Sequence, residues 1–381
     1  MICDRLTTGI RERYQRSLNK ITMISRPGAA ILIALMVAAT VACSHPQYAQ
    51  SPEYKNGQFH NTKEVEVITV ADAVKTLWRF QFEKTPDAAP AQPIPVQAMT
   101  RESVQQVEND SVVRLGHSTL LFKMRDQYWL TDPMFSVRAS PIQWMGPKRF
   151  HPPPISIEDL PPIAAVILSH NHYDHLDKAS ILKLSDKTAY FLTPLGVGDI
   201  LIAWGIPSKK VIQLDWWQSY TLHQVSFSVT PNQHFSGRMF VDNGQALWSS
   251  WVIVHDDVRV FFGGDGGYSE HFKKIGSAYG PFDMTFLENG AYDKSWPNIH
   301  MQPEQTLQAH LDLQGKCLVP IHNSTFDLAN HAWYEPLERI TALGAEKNVE
   351  IATPEFGQAI SIKHPAARIK WWKPTANSGR D

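Results

Sequence analysis

Cysteine is scarce in this sequence, and the positions of the few cysteines exclude two kinds of site. The 381 residues contain three, Cys3, Cys43 and Cys317. They are too few and too far apart for a disulfide framework or a zinc–cysteine site. Any metal ion that this chain binds must therefore be held by nitrogen and oxygen ligands.

The sequence also lacks an excess of charge, an internal repeat and an apolar run of bilayer length. The formal net charge is −1 at pH 7, so no overall electrostatic attraction draws the chain to nucleic acid, and we expect no nucleic-acid partner. A hydrophobic fraction of 43% and a charged fraction of 19% are typical of a globular protein. The length allows one large core or two modest ones.

One apolar run near the N-terminus is typical of an export signal. Residues 28–43, GAAILIALMVAATVAC, follow Arg26 and fall short of the roughly 20 residues that a membrane-spanning helix needs. The ending TVAC resembles a bacterial lipoprotein signal, in which the cysteine is lipidated and becomes the first mature residue. We therefore predict that residues 1–43 are a signal sequence, with an alternative start at Met23. The mature chain would be exported and anchored to a membrane surface through lipidated Cys43. Its location would be the bacterial envelope, on the outer-membrane or periplasmic side. The alternative is that the apolar run is an uncleaved membrane anchor.

Changes in composition divide the rest of the chain. Residues 44–105 are polar and dotted with proline, which is typical of a linker or a wrapping arm, and one helix is predicted within them at 70–84. Residues 106–370 show consecutive strand patterns and then strands that alternate with helices, and 371–381 form a short tail. This order predicts an α/β domain whose helices cover β-sheets.

Several segments of this domain have clear patterns. The run AAVILSH at 164–170 is continuously apolar, as in a strand buried on both faces. Helices are predicted at 177–185, in the segment opened by Pro303, and in YEPLERITALGAEKN with an end near Gly344. The run KVIQLDWWQSYTL at 210–222 is predicted as a strand.

The segment HNHYDH directly behind the buried strand pattern concentrates imidazoles and carboxylates. His170, His172 and Asp174 alternate, so in an extended segment they share one face, and His175 follows at a bend. Imidazole and carboxylate are suitable ligands for zinc, iron or manganese. A hydrated polar loop is the alternative, but such a loop has no need of so many titratable groups, and a core cannot bury them unpaired. We therefore predict a metal site here.

Three further polar residues each follow an apolar strand pattern. His234 follows VSFSVT, Asp265 lies in a glycine-rich turn after VRVFF, and His322 follows CLVPI. Strand ends are where α/β sheets build their sites. Each residue also has an ordinary alternative, since a single strand-end histidine is usually structural, and Asp265 also suits a tight turn or a weak phosphate-binding loop.

Taken together, these residues resemble the metallo-β-lactamase superfamily, whose pattern is H-x-H-x-D-H followed by a distant His, Asp and His. The resemblance covers roughly residues 106–365 and implies an αββα sandwich with two divalent metal ions, which we expect to be zinc. It divides seven residues between the two ions. The ligands are His170, His172 and His234 for one ion, Asp174, His175 and His322 for the other, and Asp265 as the bridge.

Finer motifs are similar to one branch of this superfamily. GHSTLLF, GPKRF, QHFSGR, GDGGY and IHNSTF resemble the branch that contains N-acylphosphatidylethanolamine-hydrolysing phospholipase D. The resemblance implies a hydrolase whose metal-bridging hydroxide attacks a phospholipid or other phosphodiester, with Asp174 accepting a proton. The alternatives are a lactonase or ester hydrolase acting on a phosphorylated small molecule, and a membrane-anchored envelope binding protein without activity.

Four residues outside the ligand set complete the predicted site. His300, just before Pro303, matches a stretch of that branch, and we expect it to contact substrate or donate a proton; its alternative is a surface-loop histidine. His117 is expected to support the ligand loops through hydrogen bonds. Lys148 and Arg149 would bind a phosphate, or form a solvated basic pair. The oligomeric state is left open by the sequence.

Overall fold

The computed structural model describes residues 48–63, 78–79, 83, 85–238 and 242–373. The predicted signal sequence, nearly all of the predicted helix at 70–84 and the end of the predicted tail lie outside the described residues. The chain divides into two compact units, Met1–Pro52 and Glu53–Asp381. In the first, a 3₁₀ helix spans Tyr48–Gln50. The second opens with an antiparallel hairpin of β1 (Tyr54–Lys55) and β2 (Gln58–Phe59).

Among the described residues of the second unit, two seven-stranded sheets form the framework. The first sheet consists of β3 (Ser111–Arg114), β4 (Leu120–Met124), β5 (Gln127–Thr131), β6 (Ile163–Ile167), β7 (Thr188–Pro194), β8 (Val211–Leu214) and β16 (Ala359–Ser361). Its order is β16-β3-β4-β5-β6-β7-β8. Pairing is antiparallel from β16 to β5 and parallel from β5 to β8.

The second sheet has a similar mixture of pairings. Its strands are β9 (Ser219–Leu222), β10 (Val225–Thr230), β11 (Ser250–His255), β12 (Val258–Phe262), β13 (Phe282–Glu288), β14 (Gly315–Ile321) and β15 (Glu350–Ile351). The order is β15-β14-β13-β12-β11-β10-β9. Strands β9 to β12 pair antiparallel, and β12 to β15 pair parallel.

Helices flank the sheets and complete the predicted αββα sandwich. They are α1 (Arg101–Gln105), α2 (Lys178–Leu184), α3 (Val197–Ala203), α4 (His271–Tyr279), α5 (Pro303–Asp312) and α6 (Glu335–Lys347), with a 3₁₀ helix at Ser208–Lys210. Helix α3 contacts β7 and β8 of the first sheet, whereas α5 contacts β13 and β14 of the second. Aromatic pairs such as Phe122 with Phe286, 5.4 Å between ring centroids, join the facing sheets. Among the described residues, none of the helices is long and apolar enough to cross a membrane.

Local sequence accounts for the helices that were predicted. The side chain of Asp177 accepts a hydrogen bond from the Ala179 amide and begins α2. Pro303 occupies the first turn of α5, where its missing N–H is no loss. Helix α6 continues past Gly344 to Lys347, because Asn348 provides the left-handed cap, with φ 54°.

Two sequence expectations differ from the structure. The run at 210–222 is not one strand: β8 and β9 belong to different sheets, and a turn separates them in which Asp215 accepts a hydrogen bond from the Trp216 amide. Helices α1, α3 and α4 had no prediction. Helix α4 packs Phe272 and Ile275 into the core of the second sheet, so tertiary burial stabilises it more than its local pattern suggests.

Candidate metal centre

The predicted histidines and aspartates come together at one end of the two sheets. Four of them follow strand ends: His170 comes after β6, His234 after β10, Asp265 after β12 and His322 after β14. Strand β6 is buried along its whole length, as its apolar sequence predicts. Because both sheets present strand ends here, side chains far apart in sequence become neighbours.

Three histidines form a first cluster. The Nε2 atom of His170 lies 2.9 Å from Nδ1 of His172, which lies 3.2 Å from Nε2 of His234. All three potential ligand atoms lie within 4.8 Å of one another. Three converging imidazole nitrogens are a donor set for one divalent ion, with a coordination position left for water or substrate.

A second cluster gathers around the carboxylate of Asp174. Its Oδ2 atom lies 3.1 Å from Nε2 of His117, 3.3 Å from Nε2 of His322 and 3.6 Å from Nε2 of His175. Each of these four residues also places one potential ligand atom within 4.8 Å of those of the other three, close enough together to hold a metal ion. His117 therefore lies inside this cluster and contacts the carboxylate of Asp174, which belongs to one of the ligand loops that it was expected to support.

Asp265 lies between the two clusters. Its Oδ2 atom is 2.7 Å from Nε2 of His322, 3.0 Å from Nε2 of His175 and 4.0 Å from Nε2 of His170. Its other oxygen, Oδ1, is buried without a hydrogen-bond partner among the described residues. A buried carboxylate oxygen in that position is costly unless a cation lies beside it, so the donor set fits a metal centre.

Asp132, which the sequence analysis did not single out, fixes one histidine of each cluster. Its Oδ2 atom lies 2.7 Å from Nδ1 of His175. The same carboxylate accepts hydrogen bonds from the amide (2.8 Å) and the hydroxyl (2.6 Å) of Ser169, whose Oγ lies 2.9 Å from Nδ1 of His170. Both rings are thereby oriented with Nε2 toward the centre. The sequence feature that could have indicated this role is the position of Asp132 directly after strand β5.

A residue of the N-terminal arm holds the segment that carries His234. The side chain of Asn61 donates to the His234 carbonyl (2.7 Å) and accepts from the His234 amide (3.0 Å). The indole of Trp248 donates to the same Asn61 oxygen at 3.1 Å. An isolated asparagine in a polar arm gives no sequence signal for this role.

His300 lies beside the two clusters, and a buried carboxylate holds it there. Nδ1 of His300 lies 2.6 Å from Oε2 of Glu288, at the end of β13. Glu288 also accepts from the Met301 amide at 2.9 Å, and its side chain is fully buried. His300 brings one potential ligand atom within 4.8 Å of those of His234 and Asp265.

Lys148 and Arg149 lie in different environments. The side chain of Lys148 is exposed, whereas Arg149 is buried, which contradicts the solvated-pair alternative. Arg149 donates from Nη2 to the Met134 carbonyl at 3.0 Å, and its guanidinium lies 5.7 Å from the ring of Phe326. That ring contacts His117 edge to face, so Arg149 lies behind the second cluster. Burial lowers the pKa of Arg149 to about 10.

Electrostatics favour neutral imidazoles in the first cluster and an ionised carboxylate in the second. Burial, together with neighbouring histidines, lowers the pKa values of His170 and His234 well below their usual range. Burial alone would raise the pKa of Asp174, but the charge of His175 and hydrogen bonds from two other histidines outweigh it and hold that pKa well below its ordinary value. Neutral imidazoles and ionised carboxylates are the forms that bind divalent ions. Burial alone would lower the pKa values of His175 and His322, but nearby carboxylates, Asp265 above all, outweigh it and raise them, that of His322 to about 9.

Comparison with known proteins identifies the family. The family model described as "Beta-lactamase superfamily domain" matches residues 128–323. The chain belongs to the metallo-β-lactamase superfamily, and its fold and its His/Asp clusters place it among metal-dependent hydrolases.

Related sequences narrow the assignment. An uncharacterized protein of Mycobacterium tuberculosis is 40% identical over 331 residues, which are 85% of this chain and 88% of that protein. N-acyl-phosphatidylethanolamine-hydrolyzing phospholipase D 1 of Caenorhabditis elegans is 31% identical over 263 residues, 66% of this chain and 74% of the relative. Within the superfamily, the chain belongs to the branch that contains this phospholipase.

A solved structure supports the fold alone. A metallo hydrolase from the archaeon Ignicoccus hospitalis aligns with a TM-score of 0.50 at 21% identity, over 66% of this chain and 97% of that one.

Proposed function

We propose that this chain is a dinuclear phosphodiesterase that cleaves a phospholipid in the manner of an N-acylphosphatidylethanolamine phospholipase D. The observation that carries the proposal is the position of Asp265, whose Oδ2 lies 2.7 Å from His322, 3.0 Å from His175 and 4.0 Å from His170. One carboxylate shared by two adjacent donor sets is the arrangement of a two-metal hydrolase.

Seven residues would hold the two ions, which we propose to be zinc. The first ion would take His170, His172 and His234, the second Asp174, His175 and His322, and Asp265 would bridge them. When bound, the ions would lower the pKa of a water molecule between them and stabilise negative charge on the phosphoryl oxygens.

Side chains of this protein carry out the proton transfers. Asp174, kept ionised by its histidine partners, accepts a proton from the attacking water. His300, held through Nδ1 by Glu288, contacts the leaving oxygen and donates a proton to it. The proton lost by water is thus balanced by the proton gained by the leaving alcohol. No serine or cysteine nucleophile is required.

A phospholipid substrate is supported by the C. elegans relative, whose name gives that activity. Arg149 supplies a positive charge behind the second cluster, where it would assist a phosphate. We also propose that the chain is an exported lipoprotein anchored through Cys43, as its N-terminal pattern predicts. Mass spectrometry of the mature chain tests this: an intact Met1 or Met23 would exclude lipidation at Cys43.

The enzyme assay combines two measurements on one sample. Metal content per chain is measured by elemental analysis, and the same protein is incubated with N-acylphosphatidylethanolamine to detect phosphatidic acid. We expect two metal ions and product, with Asp265→Ala losing at least roughly a thousandfold in turnover. The exposed Asp186 offers a matched control, Asp186→Ala, which should retain activity.

Other outcomes would redirect or end the proposal. Two metals without product would exclude the phospholipase activity and leave a hydrolase of lactones or small phosphodiesters. No metal, even after reconstitution, would overturn the hydrolase itself and favour a binding protein.

A further inference from the structure

We propose that residues 136–148, here called the docking loop, insert into the surface of an anionic lipid bilayer and bring the site to its substrate. This inference rests on the proposed phospholipid substrate. Three features of the loop support it: its exposed apolar side chains, its rigid backbone and its charge.

The docking loop presents three large apolar side chains to solvent. Trp144 is 76% exposed, Met145 55% and Val137 52%. Scattered single apolar residues are ordinary on a protein surface, but three on one short loop form an apolar projection. Tryptophan also prefers the boundary between lipid and water, because its ring is apolar and its indole N–H can donate a hydrogen bond.

Hydrogen bonds hold the docking loop in this shape. The Arg149 amide donates to the Val137 carbonyl and the Ala139 amide to the Pro147 carbonyl, both at 3.0 Å. Within the loop, Nη1 of Arg138 donates to the Gly146 carbonyl at 2.5 Å. Gly146 has φ +102°, which favours glycine. The backbone is therefore fixed with Trp144 and Met145 outward, so insertion requires little ordering.

The surrounding sequence is basic, although the chain as a whole is nearly neutral. Residues 133–157 contain no aspartate or glutamate. Of their three lysine and arginine side chains, Lys148 is exposed, Arg138 is half-buried and Arg149 is buried. Lys148 lies beside the apolar tip. Basic residues flanking exposed aromatic and aliphatic side chains complement an anionic headgroup layer above an apolar interior.

The base of the docking loop is hydrogen-bonded to the start of helix α2, which follows the ligand segment. The amide and hydroxyl of Ser136 donate to Oδ2 of Asp177, at 3.2 and 2.7 Å. Asp177 begins helix α2 and lies two residues after His175 in the sequence. A bilayer that binds the loop is therefore held close to the segment that carries the ligands.

Vesicle binding by residues 44–381, the proposed mature chain without Cys43, tests the loop directly. All variants begin at residue 44 and are not lipidated, so that neither a lipid anchor nor the apolar run at 28–43 contributes. Co-sedimentation is measured with phosphatidylcholine vesicles, with and without phosphatidylglycerol. Trp144→Ala/Met145→Ala should weaken binding by at least roughly tenfold, whereas Leu311→Ala, at a position 47% exposed on α5, should not. Lys148→Gln should weaken binding only to the anionic vesicles and reduce its dependence on salt.

A second measurement separates this inference from the proposed function. Hydrolysis is compared on vesicles and on a soluble short-chain phosphodiester; the double variant should lose vesicle hydrolysis in proportion to binding and keep soluble turnover. Unchanged vesicle binding by the double variant would overturn the inference that the docking loop inserts into the bilayer, even if the enzyme is active. Unchanged binding with a lower mass by light scattering would assign the loop to self-association instead, again overturning the inference. Absence of hydrolysis in the parent chain would overturn the proposed function. The vesicle-binding data would still show whether the docking loop binds the bilayer.

Discussion

Asp132 and His175 are joined at 2.7 Å between carboxylate Oδ2 and imidazole Nδ1, and both side chains are completely buried. The contact crosses from the end of β5 to the segment after β6. It fixes the ring of His175, and through Ser169 the same carboxylate also fixes the ring of His170. One residue outside the proposed ligand set therefore orients a histidine in each cluster.

Asp132→Asn should weaken metal binding by roughly 10–100-fold, because an amide cannot accept from all of its present donors. Zinc affinity is measured by competition with a chromophoric chelator. Asp186→Asn, at an exposed position, is the matched control. Unaltered zinc affinity in Asp132→Asn would show that the ligands orient themselves without this carboxylate.

Asn61→Ala should also lower metal affinity, by roughly 10–100-fold, since it removes both hydrogen bonds that hold the His234 backbone. The same chelator competition measures it. The control is Asn109→Ala, which removes two hydrogen bonds, both to Asp126 at an exposed site. Asn61→Ala also removes a third, from the Trp248 indole. Equal effects of the two substitutions would mean that Asn61 contributes only general stability.

Glu288→Gln should reduce kcat by roughly 10–100-fold with little change in KM or metal content, because it weakens the hold on His300 without removing a proposed ligand. The reduction should be larger for substrates with an alkoxide leaving group than for a nitrophenyl ester, which needs no proton. Glu346→Gln, at an exposed position, serves as control. An equal loss on both substrates would contradict the role of Glu288 in positioning a proton donor.

Asp283 should make stability depend on pH. Burial alone raises the pKa of this carboxyl, but hydrogen bonds from Lys316, the Arg259 amide and Lys363 outweigh it and lower the pKa below its ordinary value. Since the unfolded chain then binds the proton more tightly, the stabilisation is complete above the unfolded pKa of about 4 and is lost as pH falls through the lower folded pKa.

The corresponding variant is Asp283→Asn, at a side chain that is 4% exposed. It should lower the free energy of unfolding by about 1–3 kcal/mol at pH 7, and the difference should shrink as the pH falls below about 4. The difference in the free energy of unfolding between the two proteins is measured by urea unfolding of metal-free protein at several pH values. Asp257→Asn, 89% exposed, is the control. A difference that stays constant down to the lowest pH would exclude the charge as the cause.

The sequence by itself determined much of this protein, because some information is local. Continuous burial of β6, the start of α2 at Asp177 and the start of α5 at Pro303 follow from periodicity and caps within a few residues. The order of histidines and aspartates behind strand patterns likewise indicated metal-binding chemistry, because the sequence determines the types of donor atom. The αββα fold followed from the resemblance of that order to the metallo-β-lactamase superfamily.

Tertiary structure alone decided which groups meet. Asp132, Asn61 and Glu288 gained their roles from contacts with segments 43, 173 and 12 residues away, respectively, and no local pattern encodes such contacts. The division of 210–222 between two sheets has the same cause. Strand pairing and sheet packing depend on the burial available from the whole chain, so they place Asp265 between two clusters that the sequence presents only as separate segments.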